Sequence, residues 1–264
     1  MPRANLLGIG ISAITMAEAI SETDNLIKQN GKGYICVTGV HGIMVAQQDA
    51  LFQRILNESF LTTPDGMPTV WVGRHQGFAL ERVYGPDFMR DFCMYSVGQG
   101  YRHFFYGGSQ GVAQALKVSM EKMTPGLKVV GTYTPPFRPL TPSEFDELQS
   151  LVEQTDPDIM WIGLSTPKQE RFMAEYLDKL NVRVMVGVGA AFDIHTGRIK
   201  SAPAWIGKIG MQWLHRLLQE RKRLWKRYLI NNPKFLWMIF LQLSGLKKFM
   251  IPTASRTTQQ QTAR

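Results

Sequence analysis

The sequence predicts an α/β fold, a parallel sheet flanked by helices, followed by a basic helical appendage. Three observations predict it. Short β-branched or aromatic runs alternate with amphipathic segments as far as Gly197, the pattern of repeated strand–helix units. Four of those runs stop at glycine or small polar residues, where a parallel sheet offers its ligands main-chain N–H groups. Charge is divided as well: of 30 Lys and Arg, fourteen lie from Gly197 onward against one acid, Glu220, while the preceding part carries a slight excess of acids. With 264 residues and 44% apolar content the chain can bury a large core. The expected division is a catalytic core over 1–197, an amphipathic appendage over 198–252 and a polar tail without stable structure over 253–264.

In chain order, Asn5–Ser12 reads as a first strand and Thr15–Gln29 as a helix with Met16, Ala19, Ile20 and Ile27 inward. The N-terminus contains Glu18 and lacks a cationic head with a cleavage site, so it does not read as a signal peptide. Tyr34–Thr38 is a buried strand, Gly39–Gly42 a loop, and Ile43 begins a helix. Thr62–Pro68 reads as a turn on Pro-Asp-Gly chemistry, or as a rigid loop presenting Asp65 as a general base. Arg82 and Asp87 flank a Tyr-Gly-Pro turn before a helix that Asp87 can cap. An aromatic strand then meets Gly107, Gly108 and Gly111 before another helix. This is not GxGxxG and no acid follows at ribose distance, which disfavours a nicotinamide cofactor.

A strand, a proline-rich loop and an acidic helix lead to Asp156-Pro157-Asp158. An Asp-x-Asp pair can hold a divalent metal, but this one precedes its strand, at the amino edge where ligands of a parallel sheet do not bind. It reads as a turn, and no metal site is expected. Ile159–Leu164 is a strand whose far end carries Ser165 to Gln169, and the run through Val186 ends in Gly187, Gly189 and a glycine loop with Asp193 and His195. Thr38, Gly107, Gly108, Gln169 and the Gly187–Asp193 stretch thus gather at one rim, the mark of a Rossmann-like nucleotide pocket. Asp65 and Asp193 compete for the base, with Asp65 favoured because AFDIHTG also reads as an Asx turn. His41 and His195 read as pocket-wall hydrogen bonders, His75 and His103 as structural. Cys36 and Cys93 read as small core residues.

In the appendage, Trp205, Ile209, Trp213, Leu217, Leu224, Trp225 and Tyr228 recur at helical spacing among Arg216, Arg221, Lys222, Arg223, Lys226 and Arg227. After Pro233 the run FLWMIFLQL is too short to span a bilayer, which takes roughly 20 residues, but suits the headgroup boundary. Apolar content accompanying charge favours an anionic membrane surface over nucleic acid.

TPDGMP, ERVYGPD, FFYGG, GLSTPKQE, VGVGAAFDIHTGRIKSAP and WLHRLLQERKRLWKRY, in this order over about residues 5–228, resemble the WecG/TagA/CpsF family of bacterial glycosyltransferases. The resemblance implies transfer of a hexose or N-acetylhexosamine, with inversion and without a metal or other cofactor, from a UDP-sugar to a polyprenyl-diphosphate-linked saccharide. It implies a peripheral enzyme of the cytoplasmic face of the inner membrane, and leaves a homo-oligomer open. It puts the base on Asp65, Arg82 nearby, Thr38 and Gln169 on the donor, and Arg216 and Arg223 of the appendage on the diphosphate. The family often has TxN where this chain has Thr38-Gly39-Val40, so the donor is not narrowed to N-acetylmannosamine. The reading of another class is a UDP-sugar-binding protein without catalysis, its tail recruiting partners.

Overall fold

A computed structural model describes residues 1–252; the polar tail expected over 253–264 lies outside the described residues. Six parallel strands form the central sheet: β3 (Gly33–Thr38), β4 (Leu61–Pro64), β5 (Arg102–Gly107), β6 (Lys128–Tyr133), β7 (Ile159–Gly163) and β8 (Val184–Gly187), in the order β4-β3-β8-β7-β5-β6. Period-two alternation sends successive side chains to opposite faces, each buried by helices. Tyr34, Cys36, Phe104, Tyr106, Met160 and Ile162 meet one apolar cluster. Ile35, Val37, Phe105, Trp161, Val184 and Val186 meet the other. On the first face lie α2 (Val40–Ala46), α3 (Ala50–Glu58), α4 (Met67–His75), α7 (Pro142–Thr155) and α8 (Lys168–Tyr176). On the second lie α1 (Met16–Lys28), α5 (Gly85–Val97), α6 (Val112–Met123) and the short α9 (Ala191–His195).

Capping residues set the ends of α1 and α7. Thr15 with Glu18, and Thr141 with Glu144, each close a reciprocal capping box. The chain leaves β3 toward the first face and β8, its neighbour, toward the second, so a crevice opens between their carboxyl ends.

The first strand is a correction. Residues 5–12 do not form one strand; β1 (Arg3–Leu6) and β2 (Ile9–Ser12) form an antiparallel hairpin outside the main sheet. Leu7 and Gly8 take φ of +54° and +82°, the two left-handed positions of a tight hairpin turn. Gly8 is required there, since a Cβ would come within 2.9 Å of the Met250 carbonyl oxygen. Three other local expectations shift. Helix α2 begins at Val40, so the Gly39–Gly42 loop shrinks to its cap. Thr62 to Pro64 are sheet strand, with the turn confined to Asp65-Gly66. AFDIHTG forms α9, where an Asx-shaped loop was expected.

After Gly197 come α10 (Ala204–Lys208), α11 (Gln212–Gln219), α12 (Arg221–Trp225), a π-turn (Lys226–Ile230) and α13 (Asn231–Leu243). Pro233 does not break the chain into two segments; it sits in the first turn of α13, where its missing N–H costs little. Phe235 and Ile239 enter the first core cluster, leaving Leu236, Trp237 and Phe240 exposed. Gln242, the polar interruption of that apolar run, accepts from Leu7 N at 2.8 Å and donates to the Asn5 carbonyl at 2.8 Å. The appendage is therefore fastened to the N-terminal hairpin at its far end and passes over the sheet's carboxyl edge before it gets there.

Candidate active site

Strand β4 carries Asp65 to the carboxyl edge. The Asp65 N–H donates to the Thr38 carbonyl at 3.1 Å, continuing the β3–β4 ladder one residue past the strand. Helix α4 begins two residues later behind Gly66 and carries Pro68 in its first turn. Asp65 is thereby held on the last ladder rung with its side chain in a cavity of about 300 Å³. The walls come from both parts of the chain: Gly39, Val40, His41, Trp71, Arg82 and Tyr84 from the core, and Met211, Gln212, Trp213, Arg216, Arg227 and Tyr228 from the appendage.

Asp65 is the one carboxylate among the described residues lining this cavity, and it faces three guanidiniums, those of Arg82, Arg216 and Arg227. Burial raises its pKa, opposed by Arg82, by the Gly85 N–H 3.4 Å from Oδ1, and by Arg216 and Arg227. A carboxylate so placed has its basicity lifted toward the working range of a general base. Arg82 donates from Nε to the Asp65 carbonyl at 2.9 Å, and its guanidinium lies 4.3 Å above the Tyr84 ring. The Tyr84 hydroxyl, Arg216 Nε and Arg227 Nε are buried without a hydrogen-bond partner. Three orphaned donors in one cavity suit a ligand rich in acceptor oxygens. Burial lowers the pKa of Arg227 and lowers that of His41 to about 4, so His41 is neutral and accepts from Asn231 at 3.2 Å.

The other rim residues lie along the same edge. Thr38, 2% exposed, ends β3 next to Asp65. Gln169 opens α8 behind Ser165, donates at 3.1 Å to Glu170 Oε1, and leaves its own Oε1 buried and unpaired. Glu170 Oε2 is likewise unpaired, and Glu170 Oε1 also accepts from Thr166 at 2.8 Å. Gly187 and Gly189 admit the Gln169 side chain, since a Cβ on Gly187 would meet Gln169 Nε2 at 2.9 Å. Gly107 packs directly on Gly163, where a Cβ would approach the carbonyl to 2.8 Å, and Gly108 follows with φ +75°. Strand order separates Gly107 from Asp65 by four strand spacings, about 19 Å, and Gly107 does not line the Asp65 cavity.

Asp193 does not line the Asp65 cavity; it sits on α9 beyond β8, two strands from β4. His195 bonds the Pro86 carbonyl at 2.9 Å and joins α9 to α5. His103 is fully buried, accepts from Trp161 Nε1 at 3.0 Å and pairs with Ser96 at 2.8 Å, a structural role. Asp156 and Asp158 at the amino edge bind Arg102 and Arg183.

The appendage arginines part company. Arg216 and Arg227 enter the Asp65 cavity, whereas Arg223, 54% exposed in its side chain and bonded to Glu220, lines an adjoining cationic cleft with Lys226, Arg227 and Lys234. Arg223 and Arg227, four residues apart, both line that cleft, and only Arg227, inside the π-turn, also reaches the Asp65 cavity. Tyr84, Trp71, Gln212, Trp213 and Arg227 were not singled out as site residues. ERVYGPD did carry Tyr84, but nothing local distinguished it from a turn residue.

Residues 4–248 match the family described as "Glycosyl transferase WecG/TagA/CpsF family". The chain is similar to proteins named N-acetylglucosaminyldiphosphoundecaprenol N-acetyl-beta-D-mannosaminyltransferase. That of Bacillus subtilis (strain 168) is 26% identical over 208 residues, 77% of each chain. That of Bacillus spizizenii (strain ATCC 23059 / NRRL B-14472 / W23) is 26% identical over 218 residues, 82% of each. That of Staphylococcus aureus (strain MRSA252) is 20% identical over 249 residues, 93% of this chain and 95% of the relative.

Proposed function

The chain belongs to the glycosyl transferase WecG/TagA/CpsF family and is a glycosyltransferase of cell-surface polysaccharide synthesis; on that premise we propose the reaction it performs and the residues that carry it. A UDP-hexose or UDP-N-acetylhexosamine lies along the carboxyl edge, its nucleotide toward the Gly107, Gly108 and Gly189 turns and its sugar near Thr38 and Gln169. The acceptor, a saccharide on polyprenyl diphosphate, enters the cavity at Asp65. Asp65 takes the proton of the acceptor hydroxyl as that oxygen bonds the anomeric carbon from the face opposite UDP. The anomeric C–O bond breaks, its electron pair passes to the β-phosphate oxygen, and the configuration inverts. Arg216, Arg227 and Arg223 meet the phosphate charge, the role a metal ion fills in other transferases. The single observation that carries this reading is a buried carboxylate set among three guanidiniums in a cavity walled by core and appendage together.

The donor is kept at the level of its class because Val40, two residues after Thr38, lines the cavity where a polar side chain would read the sugar. The apolar walls, Met67, Trp71, Ile209 and Leu236, suit the first isoprene units of the acceptor. Among the described residues no helix is long and apolar enough to cross a membrane. Exposed Trp205, Trp237, Phe240, Leu246 and Met250 beside Lys247 and Lys248 support peripheral binding to an anionic surface, on the cytoplasmic face where nucleotide sugars are made. Incubation with a panel of labelled UDP-sugars and a polyprenyl-diphosphate N-acetylglucosamine acceptor tests the proposal. Transfer from one donor is the expected result; no transfer from any UDP-sugar would overturn the proposed donor class.

A further inference from the structure

Arg82 is oriented from two sides that belong to different parts of the chain. The core supplies the Asp65 carbonyl to Nε and the Tyr84 ring beneath the guanidinium plane. The appendage supplies Gln212, whose Oε1 accepts from Nη2, and Gly207, where a Cβ would come within 2.7 Å of Nη1. Gly210, at φ +75°, turns the chain between these contacts and lies so close to Trp71 that a Cβ would meet the indole at 2.7 Å. Two glycines thus let the α10–α11 turn settle on the core, and Gln212 reaches the arginine only in that seat.

We propose that Gln212 is a positioning residue of the transfer reaction, a clasp that fixes Arg82 in its working orientation only when the appendage is seated. The chemistry of the two ends fits this role. Held by the core alone, through Nε and the face of the Tyr84 ring, the guanidinium can still shift over that ring, and the one carboxylate lining the cavity is that of Asp65. Direct pairing there would lower the basicity of Asp65 and occupy the oxygen that must receive the acceptor proton. The neutral carboxamide of Gln212 holds Nη2 away without cancelling the charge of Arg82. Sugar transfer is thereby tied to closure of the appendage, which keeps the base weak while the cavity is open to water.

The inference rests on the transfer reaction proposed above, and Gln212→Ala and Gln212→Glu separate the two. The groups facing Asp65 are Arg82, Tyr84, His41, Arg216 and Arg227, none of which either substitution alters. Gln212→Ala should lower kcat about 10- to 50-fold with donor KM within about twofold, within the usual worth of a placed base. It should also move the acidic limb of the pH–rate profile to lower pH. Gln212→Glu keeps the acceptor and offsets the guanidinium charge, so it should restore most of the rate and move the acidic limb upward. Amide exchange over 207–213 should quicken at least tenfold in the alanine variant and not in the glutamate variant. Limbs that move the same way in both variants, or unchanged kcat and exchange in Gln212→Ala, would overturn the clasp. If the wild type transfers no sugar, the reaction is at fault, and the exchange measurement still decides the clasp.

Discussion

Asp65→Asn is the sharpest test of the site because it changes one proton acceptor and almost no volume. Asn can still accept the Gly85 N–H, and its backbone remains on the last rung beside Thr38. What it loses is the ability to take a proton. A positioned general base contributes about 10²- to 10⁴-fold, so the barrier should rise by roughly 3–5 kcal/mol. Donor binding should move the other way. Removing the one carboxylate among Arg82, Arg216 and Arg227 leaves the cavity more cationic, so the dissociation constant for UDP should stay level or fall. The pH profile adds an independent check. In the wild type the rate should rise with unit slope through a pKa above the ordinary carboxylate value, because burial raises that of Asp65. In the variant that limb should vanish. Single-turnover transfer, which excludes product release from the rate, and calorimetric titration with UDP measure the two halves. A rate within tenfold of wild type, or a surviving acidic limb, would remove Asp65 from the base role.

Glu170→Gln should stabilise the protein at neutral pH. Glu170 is 1% exposed and burial raises its pKa, so the folded state binds its proton more tightly than the unfolded chain. Its contribution is greatest below the unfolded value and is lost as pH rises toward the folded one; the glutamine variant should gain about 1 kcal/mol at pH 7 in urea denaturation and lose that part of the pH slope. Gly210→Ala forces a side chain into φ +75° and onto Trp71, so transfer should fall at least tenfold while the thermal midpoint, set by the distant sheet core, moves little. Trp237→Ser with Leu246→Ser removes exposed apolar groups without touching Phe235 or Ile239, and should reduce sedimentation with anionic vesicles several-fold while UDP binding persists. Truncation after Gly197 is a poorer probe, since it strips Phe235, Ile239 and the Gln242 bonds from the core.

Repeating units read well from the residues alone. The buried strands from Tyr34 to Thr38 and Ile159 to Gly163 announced themselves by composition, and the glycines after β5 by the turn they impose. The N-terminal hairpin did not, because Asn5–Ser12 is apolar throughout and nothing local shows that Leu7-Gly8 reverses direction. The β4 strand was hidden behind Pro-Asp-Gly, whose turn chemistry is real but confined to Asp65-Gly66, with Thr62 to Pro64 in the sheet. FLWMIFLQL read as one amphipathic surface; its Phe235 and Ile239 are core because α13 docks against α2.

By itself the sequence determined the α/β class, the rim on which the site is built and Asp65 as one of two candidate bases, since each depends on residue type and short-range spacing. The tertiary structure decided what Asp65 faces. Arg82 is distant in the chain from Arg216 and Arg227, and the three converge only because the appendage folds back over the carboxyl edge, turned at Gly210 and seated where Gly207 leaves room for Arg82. A carboxylate's basicity is set by burial and neighbouring charge, and both of those are properties of the closed cavity.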